Sequence, residues 1–162
     1  MQRLIATLLL SLWLAGCATP QASVAARQAL AASMPVLRLP PSALPVPLAL
    51  QQRLGFRHGD RRQTVDALVE SDGANTRLVI HAQGQVALRL DWDGKELKQQ
   101  RAPFLPAALD GERVLSDLQL VFWPVDAIAP TLPAGWSLRM EGRRRVLRQG
   151  DAIIATVDYP QP

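Results

Sequence analysis

The chain has 162 residues, with 18 Lys and Arg against 14 Asp and Glu, a formal charge of +4 and a single cysteine. That length is one domain's worth, with room for one core or a modest cavity. The mild charge decides nothing about an anionic partner, and one cysteine excludes an internal disulfide framework.

The chain opens with Met1-Gln2-Arg3 and an apolar run over residues 4–13. This matches the charged and apolar regions of a secretory signal. The run falls well short of the roughly 20 residues that a membrane-spanning helix requires, so residues 1–16 are expected to be an export signal. Leu14-Ala15-Gly16-Cys17 resembles a bacterial lipobox, in which small residues precede a cysteine that is acylated before cleavage. The alternative is an ordinary signal with a stray cysteine. On the lipobox reading the mature chain starts at Cys17 and is held to a membrane by its acyl chains, two or more of which anchor stably. Ala18-Thr19 follows instead of the Asp that retains many lipoproteins at the inner membrane. Delivery by the lipoprotein-sorting machinery to the outer membrane, facing the periplasm, is therefore expected.

Residues 17–34 are rich in Ala, Gln and Ser and read as a tether. Residues 35–50 carry Pro35, Pro40, Pro41, Pro45 and Pro47, which exclude a helix or a central strand. Leu37, Leu39, Leu44 and Val46 fill the gaps, so the stretch is expected to pack along the domain formed by residues 51–162.

From there the period is two. Leu54 and Phe56, then Val65, Ala67 and Val69, then Leu78 and Ile80, then Val86, Leu88, Leu90 and Trp92 alternate with polar residues, and a polar strand follows at 96–101. Turn residues separate them, and Asp93-Gly94 carries the type I′ hairpin signal. An apolar loop with Pro103, Phe104, Leu105 and Pro106 comes next. Val114, Leu115, Leu118, Val121 and Phe122 then predict a helix over 112–123, stopped by Pro124. After a short helical turn at 125–129, three more strands close the chain. The expected architecture is mainly β: one curved antiparallel half-barrel sheet of about eight strands, with one or two helices on its concave face.

Four segments, namely Leu54-Gly-Phe-Arg-His-Gly-Asp60, the strand from Val86 to Trp92 with its Asp93-Gly94-Lys95 turn, Leu115-Ser-Asp-Leu-Gln-Leu-Val-Phe-Trp-Pro124 and Gly135-Trp136, resemble DUF3261, a bacterial lipoprotein family of unknown function. The resemblance covers residues 35–160. It implies a setting among genes for fatty-acid and aryl-polyene synthesis, and no catalytic residues. The expected architecture also looks like the lipoprotein carriers LolA and LolB, whose half-barrels hold acyl chains.

Catalytic material is sparse. His58 falls in a turn, His81 lies on a polar strand face, and no Gly-x-Ser-x-Gly elbow is present. No metal-ligand spacing appears, no cofactor is implied, and the compartment argues against nucleic acid. Strand parity places Val65, Ala67, Val69, Leu78, Ile80, Leu88 and Leu90 on one wall with Phe56. Trp92, Trp123, Trp136 and Phe104 are candidates for its floor or rim. Small Ala67 in the middle of the wall suggests space for a ligand. Arg143, Arg144, Arg145 and Arg148 form the dense charge cluster. It is either a dock for anionic headgroups or a solvated edge kept from aggregating by its charges. The expected function is binding or carriage of an acyl or polyene lipid, and the alternative is a non-catalytic partner in an envelope lipid-synthesis complex.

Overall fold

Four runs of alternating residues and the polar run after them become five antiparallel strands: β1 (Leu48–His58), β2 (Arg61–Ser71), β3 (Thr76–Ala82), β4 (Gln85–Trp92) and β5 (Leu97–Arg101). The structure is a computed structural model that describes residues 34–58, 61–105 and 110–160; Cys17, the expected signal and all but the last residue of the tether lie outside these. The five strands form a meander in chain order. Leu54 stands opposite Val65, Ala67 opposite Ile80, and Leu78 opposite Leu90. One face is therefore mostly apolar, with Gln52 opposite Ala67 and the Ser71–Thr76 pair among its polar members. A slip of one residue would turn that face to solvent, so burial fixes the register.

The type I′ turn sits elsewhere than expected. Gln83 and Gly84, between β3 and β4, both have positive φ (53° and 74°), as that turn demands. Asp93-Gly94 instead belongs to a four-residue loop in which only Gly94 has positive φ, at 92°. There the Asp93 carboxylate accepts from the backbone N–H groups of Lys95 and Glu96, at 2.8 and 2.7 Å. Asp72 does the same for Ala74 and Asn75. Aspartate's ability to bond the backbone just ahead outweighed its tolerance of positive φ.

Helix α1 (Gly111–Phe122) follows, then α2 (Val125–Ile128) and a 3-10 turn at Ala129–Thr131. Trp123 is extended, as a residue before proline prefers, and Pro124 cannot continue the ladder. The chain ends in β6 (Trp136–Glu141), β7 (Arg144–Gln149) and β8 (Ala152–Asp158). These three form a second sheet, so the eight antiparallel strands make two sheets of five and three with two short helices and no closed barrel. The single eight-stranded sheet is corrected accordingly. All of β5 after Leu97 is exposed and polar, Lys98-Gln99-Gln100-Arg101, a composition that blunts an edge against further pairing.

Candidate functional site

The Pro-rich segment carries backbone groups without ladder partners, and the helix supplies them. Leu37 and Leu39 are buried, while Val36, Arg38 and Pro40 point outward. The Leu37 N–H donates to Ser116 Oγ at 3.0 Å, and the Leu39 N–H donates to Gln119 Oε1 at 3.0 Å. The Leu39 carbonyl accepts from Gln119 Nε2 and from Trp92 Nε1, both at 2.8 Å. Trp123 Nε1 donates to the Pro40 carbonyl at 3.3 Å, and Arg38 pairs with Glu112. Glu112, Ser116 and Gln119 of α1, with Trp123 just past its end, thus form one stripe that holds the segment as a strap. Gly94 abuts the same strap: a Cβ there would lie 3.3 Å from Pro40 Cβ and Pro41 Cδ. Residues 48–50, read as the end of the Pro-rich segment, already belong to β1.

A second stripe of α1 faces the sheet. Leu115 joins Ala67, Val69, Leu78, Leu88, Leu90 and Trp92 in one buried cluster. Leu48, Leu54, Ile80, Leu97, Leu105, Val114 and Leu118 pack around it half-buried. Gly111 lets the helix start close to β4 and β5, its N–H donating to Gln99 Oε1 at 3.2 Å. The space expected beside Ala67 is filled: Ala67 is 1% exposed. At the Trp92 end the wall is sealed by Leu39 of the strap and by the buried Ser71–Thr76 hydroxyl pair, 2.9 Å apart. At the other end Leu54, Val65 and Ile80 remain half-buried.

The remaining candidates scatter. Phe56 and Phe104 are exposed, and Trp136 is half-buried at the start of β6, in the other sheet. Trp92 and Trp123 are both buried and each gives its indole N–H to the strap, Trp92 packing in the core cluster as well. Two shallow depressions of about 280 and 260 Å3 are present, the first lined by Arg89, Asp91 and Lys98, the second by Pro47, Glu70 and Arg77 among others. None of the expected cavity residues lines either. Among the described residues no three His, Cys, Asp or Glu gather as metal ligands, and no helix is long and apolar enough to cross a membrane.

The arginine cluster is divided by the fold. Arg145 is buried. Its Nη1 donates to the Leu120 carbonyl and its guanidinium lies 5.6 Å from the Tyr159 ring centroid. Tyr159 Oη donates to the Val121 carbonyl at 2.6 Å. Together they satisfy two carbonyls that α1 would otherwise leave open at its C-terminus, where a cation is favoured. Desolvation pulls the Arg145 pKa down. Arg145 is therefore a helix cap and not available to a headgroup. Arg143 bonds the Tyr159 and Pro160 carbonyls, Arg144 holds Asp158 through both nitrogens of its fork, and Arg148 meets Glu141. The Asp158 hydrogen bond raises the Arg144 pKa.

Sequence reading missed Ser116 and Gln119. The sequence offered only part of the signal, two polar residues three apart on the helix and a Pro-rich segment with backbone groups to satisfy; that both are buried and so require partners is visible only in the structure.

A family model described as "Protein of unknown function (DUF3261)" matches residues 49–162. The chain belongs to the DUF3261 family. The matched span runs through all eight strands and both helices but starts after the strap, so the family pattern covers the wall and the stripe that grips the strap. No curated protein and no solved structure matches the chain.

Proposed function

We propose that this DUF3261 protein is a lipid-anchored protein of the outer membrane, acylated at Cys17 and facing the periplasm, that binds one acyl or polyene chain. In this reading the five-stranded wall and α1 act as an open half-barrel of the LolA and LolB kind. One observation carries it: the apolar wall is sealed at its Trp92 end and left half-buried at the Leu54, Val65 and Ile80 end. Leu105, Val114 and Leu118 fringe the same core half-buried and would add apolar surface for such a chain. Each methylene buried contributes about 0.8 kcal/mol, so binding needs no catalytic group.

A second reading, a non-catalytic assembly partner of an envelope lipid-synthesis complex, is favoured by the packing of Leu90, Trp92 and Leu115, none more than 3% exposed. Native mass spectrometry of the intact protein separates the two. Co-purifying lipid, with uptake of a fluorescent fatty acid, supports carriage; neither lipid nor uptake leaves the partner reading. Density fractionation of the envelope tests the location, and recovery of the protein in the inner-membrane fraction would overturn it. In Cys17→Ser the serine cannot take the thioether-linked lipid, so loss of radiolabelled palmitate is expected.

A further inference from the structure

Of the four described sheet edges, β1 is the one without a device against further pairing. β5 is polar and charged, the β7–β8 register shifts between Leu147 and Arg148, and β6 carries Arg139 and Glu141 and has α2 against it. β1 instead pairs with β2 over eleven residues with no register shift, and no proline lies within it. Between Leu48 and Phe56 its one charge is Arg53, which turns back to Asp66 at 3.0 Å. The Asp72 N–H donates to the Asn75 carbonyl at 3.1 Å. Bonded and non-bonded pairs alternate in an antiparallel ladder, so that bond fixes the pairs that follow. Leu48, Leu50, Gln52 and Leu54 bond to β2, and the N–H and C=O groups of Ala49, Gln51 and Arg53 face outward. Among the described residues nothing pairs with those groups. On the wall side of the same edge Leu48, Leu50 and Leu54 are half-buried and Phe56 is 49% exposed. Gln52 interrupts that row with an amide that bonds no described residue.

We infer that this edge is the interface for a second copy of the chain, the two β1 strands pairing antiparallel about a two-fold axis at Gln52. In that register Leu50 stands opposite Leu54 of the second copy, Leu48 opposite Phe56, and Gln52 opposite its own equivalent, where the two amides bond each other. The outward backbone groups meet as Ala49 with Gly55 and Gln51 with Arg53, and no like charges are opposed. An axis at Arg53 would set two guanidinium groups against each other. An axis at Gln51 would set Leu50 against Gln52. Pro47 has no N–H for a further pair, so the pairing ends at Leu48. A lone polar residue in an apolar seam is a known way of fixing register, and Gln52 has that place here. The joined edge makes one sheet of two five-stranded ones and continues each apolar wall into the other. The assignment stands whether or not the wall carries a lipid.

The test uses the full chain in detergent micelles. Analytical ultracentrifugation should show a monomer–dimer equilibrium that follows protein concentration. Gln51→Pro should abolish the dimer and keep the parent's circular dichroism, because proline is tolerated where an edge N–H faces outward. Gln52→Cys should give a disulfide-linked dimer on mild oxidation, since the two Cα atoms at the axis lie about 4.5 Å apart in such a pair. Arg53→Cys, displaced from its equivalent along the strand, should not, and unsubstituted protein reports any linkage through Cys17. Leu50→Cys and Leu54→Cys should each stay unlinked alone and link when mixed. If Gln51→Pro does not fold, this disulfide pattern decides. A parent that stays monomeric at every concentration overturns the assignment. So does a dimer that persists in folded Gln51→Pro, or linkage as fast at position 53 as at position 52. Protection of the β1 edge from hydrogen exchange only when a different protein is added also overturns it, and would make the edge a strand-addition site for that protein.

Discussion

The Gln119 side-chain amide closes on both backbone polar groups of Leu39, accepting from its N–H at 3.0 Å and donating to its carbonyl at 2.8 Å. The two residues are 80 positions apart, and the contact is buried. A single side chain thereby does for the strap what a neighbouring strand would do in a sheet. Gln119→Leu keeps the volume but leaves the Leu39 N–H without a partner. A loss of about 2–3 kcal/mol is expected by urea unfolding, because an unsatisfied buried donor costs roughly 1–3 kcal/mol. Ser116→Ala should act in the same direction through Leu37 with a smaller effect. If both variants unfold at the wild-type midpoint, the strap does not stabilise the domain.

Arg145 and its neighbours should separate in the same experiment. Arg145→Ala removes a charged, buried donor to the Leu120 carbonyl together with its packing on Tyr159, and a loss of about 2–4 kcal/mol is expected. Arg144→Gln breaks only an exposed pair with Asp158 and should leave the unfolding midpoint unchanged. Binding to anionic vesicles should be unaltered in Arg143→Gln and Arg144→Gln, since each arginine already has a protein partner. Weakened vesicle binding in either variant would restore the headgroup-dock reading for the exposed arginines.

The two aspartate loops predict a pH dependence. Backbone N–H groups of Ala74 and Asn75 hold the Asp72 pKa below the ordinary 3.8, and those of Lys95 and Glu96 do the same for Asp93. A depressed folded-state pKa means that the contribution is complete above roughly pH 4 and disappears as pH falls through the folded value. Asn at both positions still accepts the hydrogen bonds but does not titrate. Asp72→Asn with Asp93→Asn should therefore show a smaller drop in urea midpoint between about pH 7 and about pH 2.5 than wild type does. An identical drop would place the acid sensitivity elsewhere.

Period-two patterning placed the first four strands of the first sheet, the polar run after the Asp93-Gly94 turn placed the fifth, and helical spacing with Pro124 placed α1 within a residue at each end. Those signals are local, and burial of one face enforces them. The division into two sheets was not legible, because nothing in β5 or β6 states that the strands will not pair with each other. The burial of Arg145 was hidden for a related reason. In sequence it is the third of three consecutive arginines, and only its register opposite Met140 and Val157 turns it toward α1. The wall was legible in strand parity, but its filling was not, since that depends on how closely Gly111 lets the helix approach.

Ala67 and Leu54 are the two positions at which a filled core and an open half-barrel diverge. Ala67 lies between Gln52 and Ile80 in the pairing and is 1% exposed. Tryptophan there must displace its neighbours, and overpacking a well-packed site typically costs about 1–3 kcal/mol. Leu54 lies at the half-buried end, where a larger ring has solvent to expand into. Leu54→Trp should therefore retain the wild-type unfolding midpoint. If that end admits an acyl chain, the same substitution narrows the entrance and lowers uptake of a fluorescent fatty acid. Ala67→Trp, compared at a temperature where it remains folded, should affect uptake less because its side chain sits deeper than the entry. The opposite ranking, with uptake abolished at Ala67 and untouched at Leu54, would mean that the chain enters from the strap end. Wild-type protein that takes up no probe while both variants behave as ordinary packing mutants would leave the sheet as a closed core and the assembly-partner reading in its place.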